Sequence, residues 1–139
     1  MAKAKKTILL FDNDPALVGL YKNVFEEAGY NFIVTDNINK AVRFCRQEKV
    51  DLVLSNMLLT TDPKTNESLG FIFLKSIKTL PKTQNIPTVI LSNLSMTEKQ
   101  NQASRLGADA FLVKSNYTPK QILNKVEKFL SARLANASA

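Results

Sequence analysis

The stretch Thr7-Ile8-Leu9-Leu10-Phe11-Asp12-Asn13-Asp14-Pro15 decides the fold. Its first five residues are almost continuously apolar, without the alternation of a half-exposed strand. Such a run is expected of a strand covered on both faces, as in a parallel sheet. Polar residues end it abruptly. Asp14 then reads as a helix N-cap and Pro15 as the first helical residue, where a missing N–H costs nothing. Leu17, Leu20, Tyr21, Val24, Phe25 and Ala28 follow at helical spacing, and Gly29 supplies a stop. One strand, one turn and one amphipathic helix are thus legible in the first 29 residues.

The same punctuation repeats along the chain. Strands are expected at Tyr30–Thr35, Val50–Ser55, Ile86–Ser92 and Asp109–Val113. A second helix carries the stripe Ile38, Ala41, Val42 and Cys45, and a third is expected over Phe71–Leu80. Ser95-Met-Thr-Glu98 reads as a capping box opening a polar helix that runs to Gly107. Thr118-Pro-Lys-Gln121 opens the last helix, with Ile122, Leu123, Val126, Phe129 and Leu130 facing inward. Ala135–Ala139 reads as a frayed tail. Five strands alternating with five helices argue for an α/β three-layer sandwich, and residues 1–139 read as one domain with its core at about 6–131.

Composition narrows the function. The chain has no histidine, which excludes His-ligated zinc, Ser–His–Asp catalysis and a phosphohistidine relay. Cys45 stands alone and reads as core packing rather than a reactive thiol. No apolar run is long enough to span a membrane, so a soluble, cytoplasmic protein is expected. The net charge is +7. Residues 1–74 balance nine basic against nine acidic side chains, whereas residues 75–139 carry ten basic and three acidic. A basic half of this kind attracts nucleic acid, acidic proteins or anionic membranes, unless its lysines simply decorate solvated helix surfaces.

In parallel α/β sheets ligands gather beyond the C-terminal strand ends. Asp12-Asn13-Asp14, Asn56, Ser92-Asn93 and Lys114-Ser115 occupy those ends. With them the chain resembles the receiver domains of two-component response regulators, the CheY-like group of flavodoxin-like folds. The run into Asp12-Asn13 resembles the family's acidic pair. Asp51-Leu-Val-Leu-Ser-Asn56 resembles the strand ending in the phosphorylated aspartate. Ile86–Ser92 matches the strand ending in the switch hydroxyl, and Leu106–Lys114 matches the segment carrying the switch aromatic, Phe111, and the lysine. The resemblance implies a five-stranded parallel sheet of order 2-1-3-4-5 and a signalling role in a phosphorelay.

Departures from the pattern bear on function. The phosphoacceptor position holds Asn56, and an amide is a far weaker nucleophile than a carboxylate. The second acid of the pair is Asn13, so only Asp12 remains to face Lys114. Magnesium prefers a hard oxygen shell with one or two carboxylates, so Mg²⁺ binding is expected to be weak or absent, and no cofactor is expected. Asp14 reads as an N-cap before it reads as a replacement ligand. Ser115 follows the lysine where the family usually has proline after a cis bond. A cis bond before Ser115 would cost about 3 kcal/mol, so trans is expected, with a reshaped loop. Gly70 lies 14 positions after Asn56, implying an insertion around residues 60–68 beside the pocket mouth. Asn93 beside the switch Ser92 is expected to tighten access.

These readings lead to a pseudo-receiver: a receiver-like module acting through protein contacts, not an enzyme. The face of the fourth helix, fifth strand and last helix carries Lys99, Arg105, Lys120, Lys125 and Lys128, the expected docking residues for an acidic protein partner. The alternative is a conventional phospho-accepting receiver captured as an Asp-to-Asn variant at 56. A flavodoxin-fold enzyme is disfavoured because the first turn is acidic and lacks the glycines of a phosphate cradle. A specific nucleic-acid binder is disfavoured because no recognition motif is present.

Overall fold

The computed structural model describes residues 5–57, 64, 68–92 and 97–138, with side chains up to residue 132. The elements follow as β1 (Thr7–Phe11), α1 (Pro15–Glu27), β2 (Asn31–Thr35), α2 (Ile38–Gln47) and β3 (Leu52–Asn56). Then come α3 (Leu69–Thr79), β4 (Thr88–Ser92), α4 (Thr97–Arg105), β5 (Ala110–Val113) and α5 (Pro119–Ser138). All strands are parallel, in the order β2-β1-β3-β4-β5. This is the expected flavodoxin-like, CheY-like topology.

Alternation along each strand divides the core. Ile8 and Leu10 of β1, Leu52 and Leu54 of β3, Val89 and Leu91 of β4 pack with Tyr21 and Phe25 of α1 and with Ile122, Val126 and Leu130 of α5. Leu9, Phe11 and Val53 face the other way, against Ala41 and Cys45 of α2 and Phe73 and Ile77 of α3. Ile90 joins Met57, Phe71, Leu74 and Ala103 beneath α3 and α4. Each large side chain fully buried in this way contributes about 1.5–3 kcal/mol.

The element boundaries differ from expectation for local reasons. β3 begins at Leu52 because the Asp51 carboxylate accepts the Thr7 N–H at 2.8 Å. Asp109 does the same for Thr88 N–H at 2.7 Å, so β5 begins one residue later than expected. Ile86 stays out of β4 because its carbonyl accepts from Lys78 Nζ at 2.7 Å and Thr88 Oγ1 at 3.1 Å. α3 starts at Leu69, not Phe71, because Ser68 Oγ caps the Phe71 N–H at 3.1 Å. Leu20 is 52% exposed rather than core, standing to one side of the stripe through Leu17, Tyr21 and Phe25. The segment expected to fray from Ala135 is helical through Ser138.

Two caps form as read. Asp14 Oδ1 accepts from Ala16 N at 3.2 Å and Leu17 N at 3.5 Å. Thr118 and Gln121 close a reciprocal capping box, at 2.8 Å and 3.2 Å. The Ser95 capping box, Asn93 and most of the 60–68 insertion lie outside the described residues.

Candidate functional site: a saturated carboxylate at the strand ends

Strand register assembles the site. Phe11 pairs with Ser55, Asn56 with Leu91, and Ser92 with Val113. The next residues out, Asp12 and Lys114, therefore meet Asn56 and Ser92 at one end of the sheet. All four are buried, with exposures of 2%, 6%, 7% and 1% in that order. The crossover between β1 and β3 places them at the topological switch point.

Asp12 is the centre. Its Oδ1 accepts from Asn13 N at 2.7 Å, Asp14 N at 3.1 Å and Asn56 Nδ2 at 3.0 Å. Its Oδ2 accepts from Lys114 Nζ at 2.7 Å. Three donors crowd Oδ1 and one charged donor engages Oδ2, so the carboxylate is held from both oxygens by the chain itself. The ion pair is almost wholly withdrawn from water, with side chains 4% and 0% exposed. Such a pair persists because hydrogen bonds offset the desolvation of both charges. On α1, burial raises the Tyr21 phenol pKa, and the charges of Asp12 and Asp14 push it further the same way.

The other expected site residues divide. Asn13 is exposed and gives the site its backbone N–H. Phe111 is half-buried and packs on the cluster of Met57, Phe71, Leu74, Ile90 and Ala103. The Lys114–Ser115 bond is trans, as expected, and residues Lys114–Asn116 form a 3-10 turn. Gly70 was read only as a spacing marker. A Cβ there would overlap Asn56 O and lie 2.8 Å from Met57 Cα, so α3 rests directly on the end of β3. A glycine two residues after a Ser cap was the available signal.

The five basic residues expected on one docking face do not form one cluster. Lys99 is half-buried, with Nζ 5.6 Å from the centroid of the Phe71 ring. Lys120 lines a cleft with Val24 and Glu27 of α1 and Ala28, which caps that helix. Arg105 is exposed in the last turn of α4. Lys125 and Lys128 do sit together, lining a groove of about 330 Å³ with Leu112, Phe129 and Ala132. Lys125 also lies 4.9 Å from the Tyr117 ring centroid.

The doubly covered parallel sheet with an Asp–Lys pair at its switch point defines a CheY-like receiver module. Comparison with known proteins agrees: the response regulator receiver domain family matches residues 8–127. The chain belongs to that family, and so to the proteins of two-component signalling. It is 30% identical over 128 residues to chemotaxis protein CheV1 of Helicobacter pylori, covering 91% of this chain and 39% of that one. It is 25% identical over 129 residues to a 14.6 kDa protein of Leptolyngbya boryana, covering 93% of each. A CheY-like receiver from Methanospirillum hungatei superposes with a TM-score of 0.82 at 20% identity, over 96% of this chain and 99% of that one. The chain thus spans well under half the length of the chemotaxis relative. Among the described residues no helix is long and apolar enough to cross a membrane.

Proposed function

We propose that this receiver signals through protein contacts without phosphoryl transfer at residue 56. The observation that carries the reading is the Asn56 Nδ2 hydrogen bond to Asp12 Oδ1 at 3.0 Å. An acceptor aspartate would offer an anionic oxygen to phosphorus; Asn56 instead turns an N–H donor inward. The amide complements Asp12, which an ionised carboxylate at that distance would repel.

The residues present do not fit magnesium. Asp12 Oδ1 is shared by three donors and Oδ2 is engaged by the Lys114 ammonium, whose charge repels a cation at that oxygen. The Asp14 carboxylate caps α1, and Asn13 brings no charge. Among the described residues no group of three or more Asp, Glu, His or Cys side chains could hold a metal. Lys114 supplies a positive charge directly on Asp12, so this carboxylate is neutralised by the chain's own side chain. Ser92 and Phe111 then serve as packing around a fixed pocket rather than as a phosphoryl-driven switch.

Output in this reading is docking on the β5–α5 face, by a partner that places an acidic side chain near Lys125 and Lys128 and an apolar one against Leu112 and Phe129. Arg105, Lys99 and Lys120 do not line this groove and contribute only long-range attraction. The test is incubation with acetyl phosphate and millimolar Mg²⁺, followed by intact mass. The parent stays unmodified, and Asn56→Asp gains a phosphoryl group. A phosphoryl adduct on the parent that maps to the strand-end pocket would overturn the proposal.

A further inference from the structure

The fold concentrates charge in a place that halving the sequence conceals. α2 carries Lys40, Arg43 and Arg46, and neither α2 nor α3 contains an Asp or Glu; of the α3 lysines, Lys78 is paired with Asp109 at 3.4 Å and does not line the groove between the two helices. These two helices pack side by side on one face of the sheet. Among the described residues, the acids of residues 1–74 fall at the β1 end (Asp12, Asp14), on α1 (Glu26, Glu27) and flanking α2 and β3 (Asp36, Glu48, Asp51).

Between α2 and α3 runs a groove of about 460 Å³, lined by Val42, Arg43, Arg46, Ser76, Thr79 and Leu80, with Asn39 and Gln47 at its rim. Arg43 and Arg46 are exposed, three residues apart on α2, so their side chains rise from the same helix face. Among the described residues neither guanidinium has an ion pair or hydrogen bond. The hydroxyls of Ser76 and Thr79 donate back into their own helix, to Ile72 O and Lys75 O, each at 2.9 Å. Their oxygens are therefore left to accept. Val42 and Leu80 give the groove an apolar element.

We propose that the α2–α3 groove is a second docking surface, whose partner is an acidic protein segment that places carboxylates on Arg43 and Arg46 and an apolar side chain on Val42 and Leu80. The proposal goes beyond the docking site above and lies on the opposite face of the sheet. Two planar forks spaced along one helix match carboxylates bidentately. The outward acceptors of Ser76 and Thr79 suit peptide N–H groups and would face phosphate oxygens unfavourably. No aromatic side chain lines the groove for base stacking, which favours a protein over a single-stranded nucleic acid.

The test uses a fluorescein-labelled peptide of alternating Glu and Leu, titrated into the full chain and followed by anisotropy and by amide chemical shifts. Shifts at residues 39–47 and 76–80 are expected. Arg43→Gln/Arg46→Gln, both exposed and so compatible with folding, should weaken binding about tenfold or more. Lys125→Gln/Lys128→Gln should leave those shifts in place. Shifts confined to residues 112–132, an affinity read from the shifts at 39–47 and 76–80 that is unchanged in the arginine pair, or no binding at millimolar peptide would each overturn the proposal. So would an oligonucleotide of equal charge that binds the groove more tightly than the peptide. None of these outcomes bears on phosphorylation at residue 56, so this proposal and that one fail separately.

Discussion

Asp12 and Lys114, 102 residues apart in sequence, form a buried ion pair with Oδ2 and Nζ 2.7 Å apart. The bond ties the end of β1 to the turn after β5 across β3 and β4, so one contact locks the strand ends of most of the sheet. Removing one partner strands the other as a buried charge, at a cost of roughly 3 kcal/mol. Lys114→Met should therefore lower Tm by about 10 °C. Asp12→Asn/Lys114→Met should lose much less than the two single changes together, because no charge is left uncompensated. A thermal melt of Lys114→Met and urea denaturation of the three variants check the two statements. Additive losses would mean that the two residues act independently.

Asn56→Asp puts a second carboxylate beside Asp12, where Nδ2 now sits 3.0 Å from Oδ1. A favourable hydrogen bond becomes a like-charge contact in a buried site, at a cost of about 1 kcal/mol or more. The variant should melt below the parent without metal and regain that loss in millimolar Mg²⁺. The parent should melt at the same temperature with and without Mg²⁺. Thermal melts of both proteins in both buffers check this, and a large Mg²⁺-dependent rise in the parent contradicts it.

Gly70 and Gly19 should respond in opposite directions to alanine. At Gly70 a Cβ meets backbone, 2.8 Å from Met57 Cα, and backbone cannot rotate aside. α3 would have to lift from the end of β3, so a loss of about 2 kcal/mol or more is expected. At Gly19, exposed within α1, a Cβ meets nothing within 4 Å. Gly19→Ala should stabilise by about 0.5–1 kcal/mol through helix propensity and a less free unfolded chain. Chemical denaturation of each variant gives the signs.

The same contrast shows what the sequence reveals. The apolar runs, the Asp14 and Thr118 caps and the residues after each strand were legible because they are local, and they sufficed for the alternating α/β architecture; the strand order and the pairing of Asp12, Asn56 and Lys114 in one site followed from the resemblance to receiver domains. Strand starts were not, because Asp51 and Asp109 replace ladder bonds with side-chain acceptors set by distant pairing. The docking lysines were placed by element, yet Lys120 turned toward α1 and Lys99 toward Phe71, since helix rotation is decided by packing. The α2–α3 groove was hidden because charge summed along a chain ignores which helices become neighbours. That Asp12 meets four donors depends on backbone N–H directions at Asn13 and Asp14, which no residue pattern encodes.

Alkaline pH should unfold the protein through groups that fold in their neutral forms. Burial pushes the Cys45 thiol up to about 12 from an ordinary 9.0. Burial and the hydrogen bond from Tyr30 Oη to Glu127 Oε2, 3.1 Å long, push the Tyr30 phenol up to about 12 from 10.0. Burial raises the Tyr21 phenol as well. In each case the folded pKa exceeds the unfolded one, so between about pH 9 and 12 the folded state holds more protons than the unfolded state. Stability is then fully present below about pH 9 and falls as pH rises through that window. The urea midpoint should be flat from pH 7 to 9 and decline by pH 10.5. Tyr30→Phe should show a shallower decline, since its ring cannot ionise. At pH 8 the Cys45 thiol, 4% exposed beneath α2, should react with a disulfide reagent only at the rate of unfolding. Rapid labelling of the native protein, or a urea midpoint that rises above pH 9, would contradict this account.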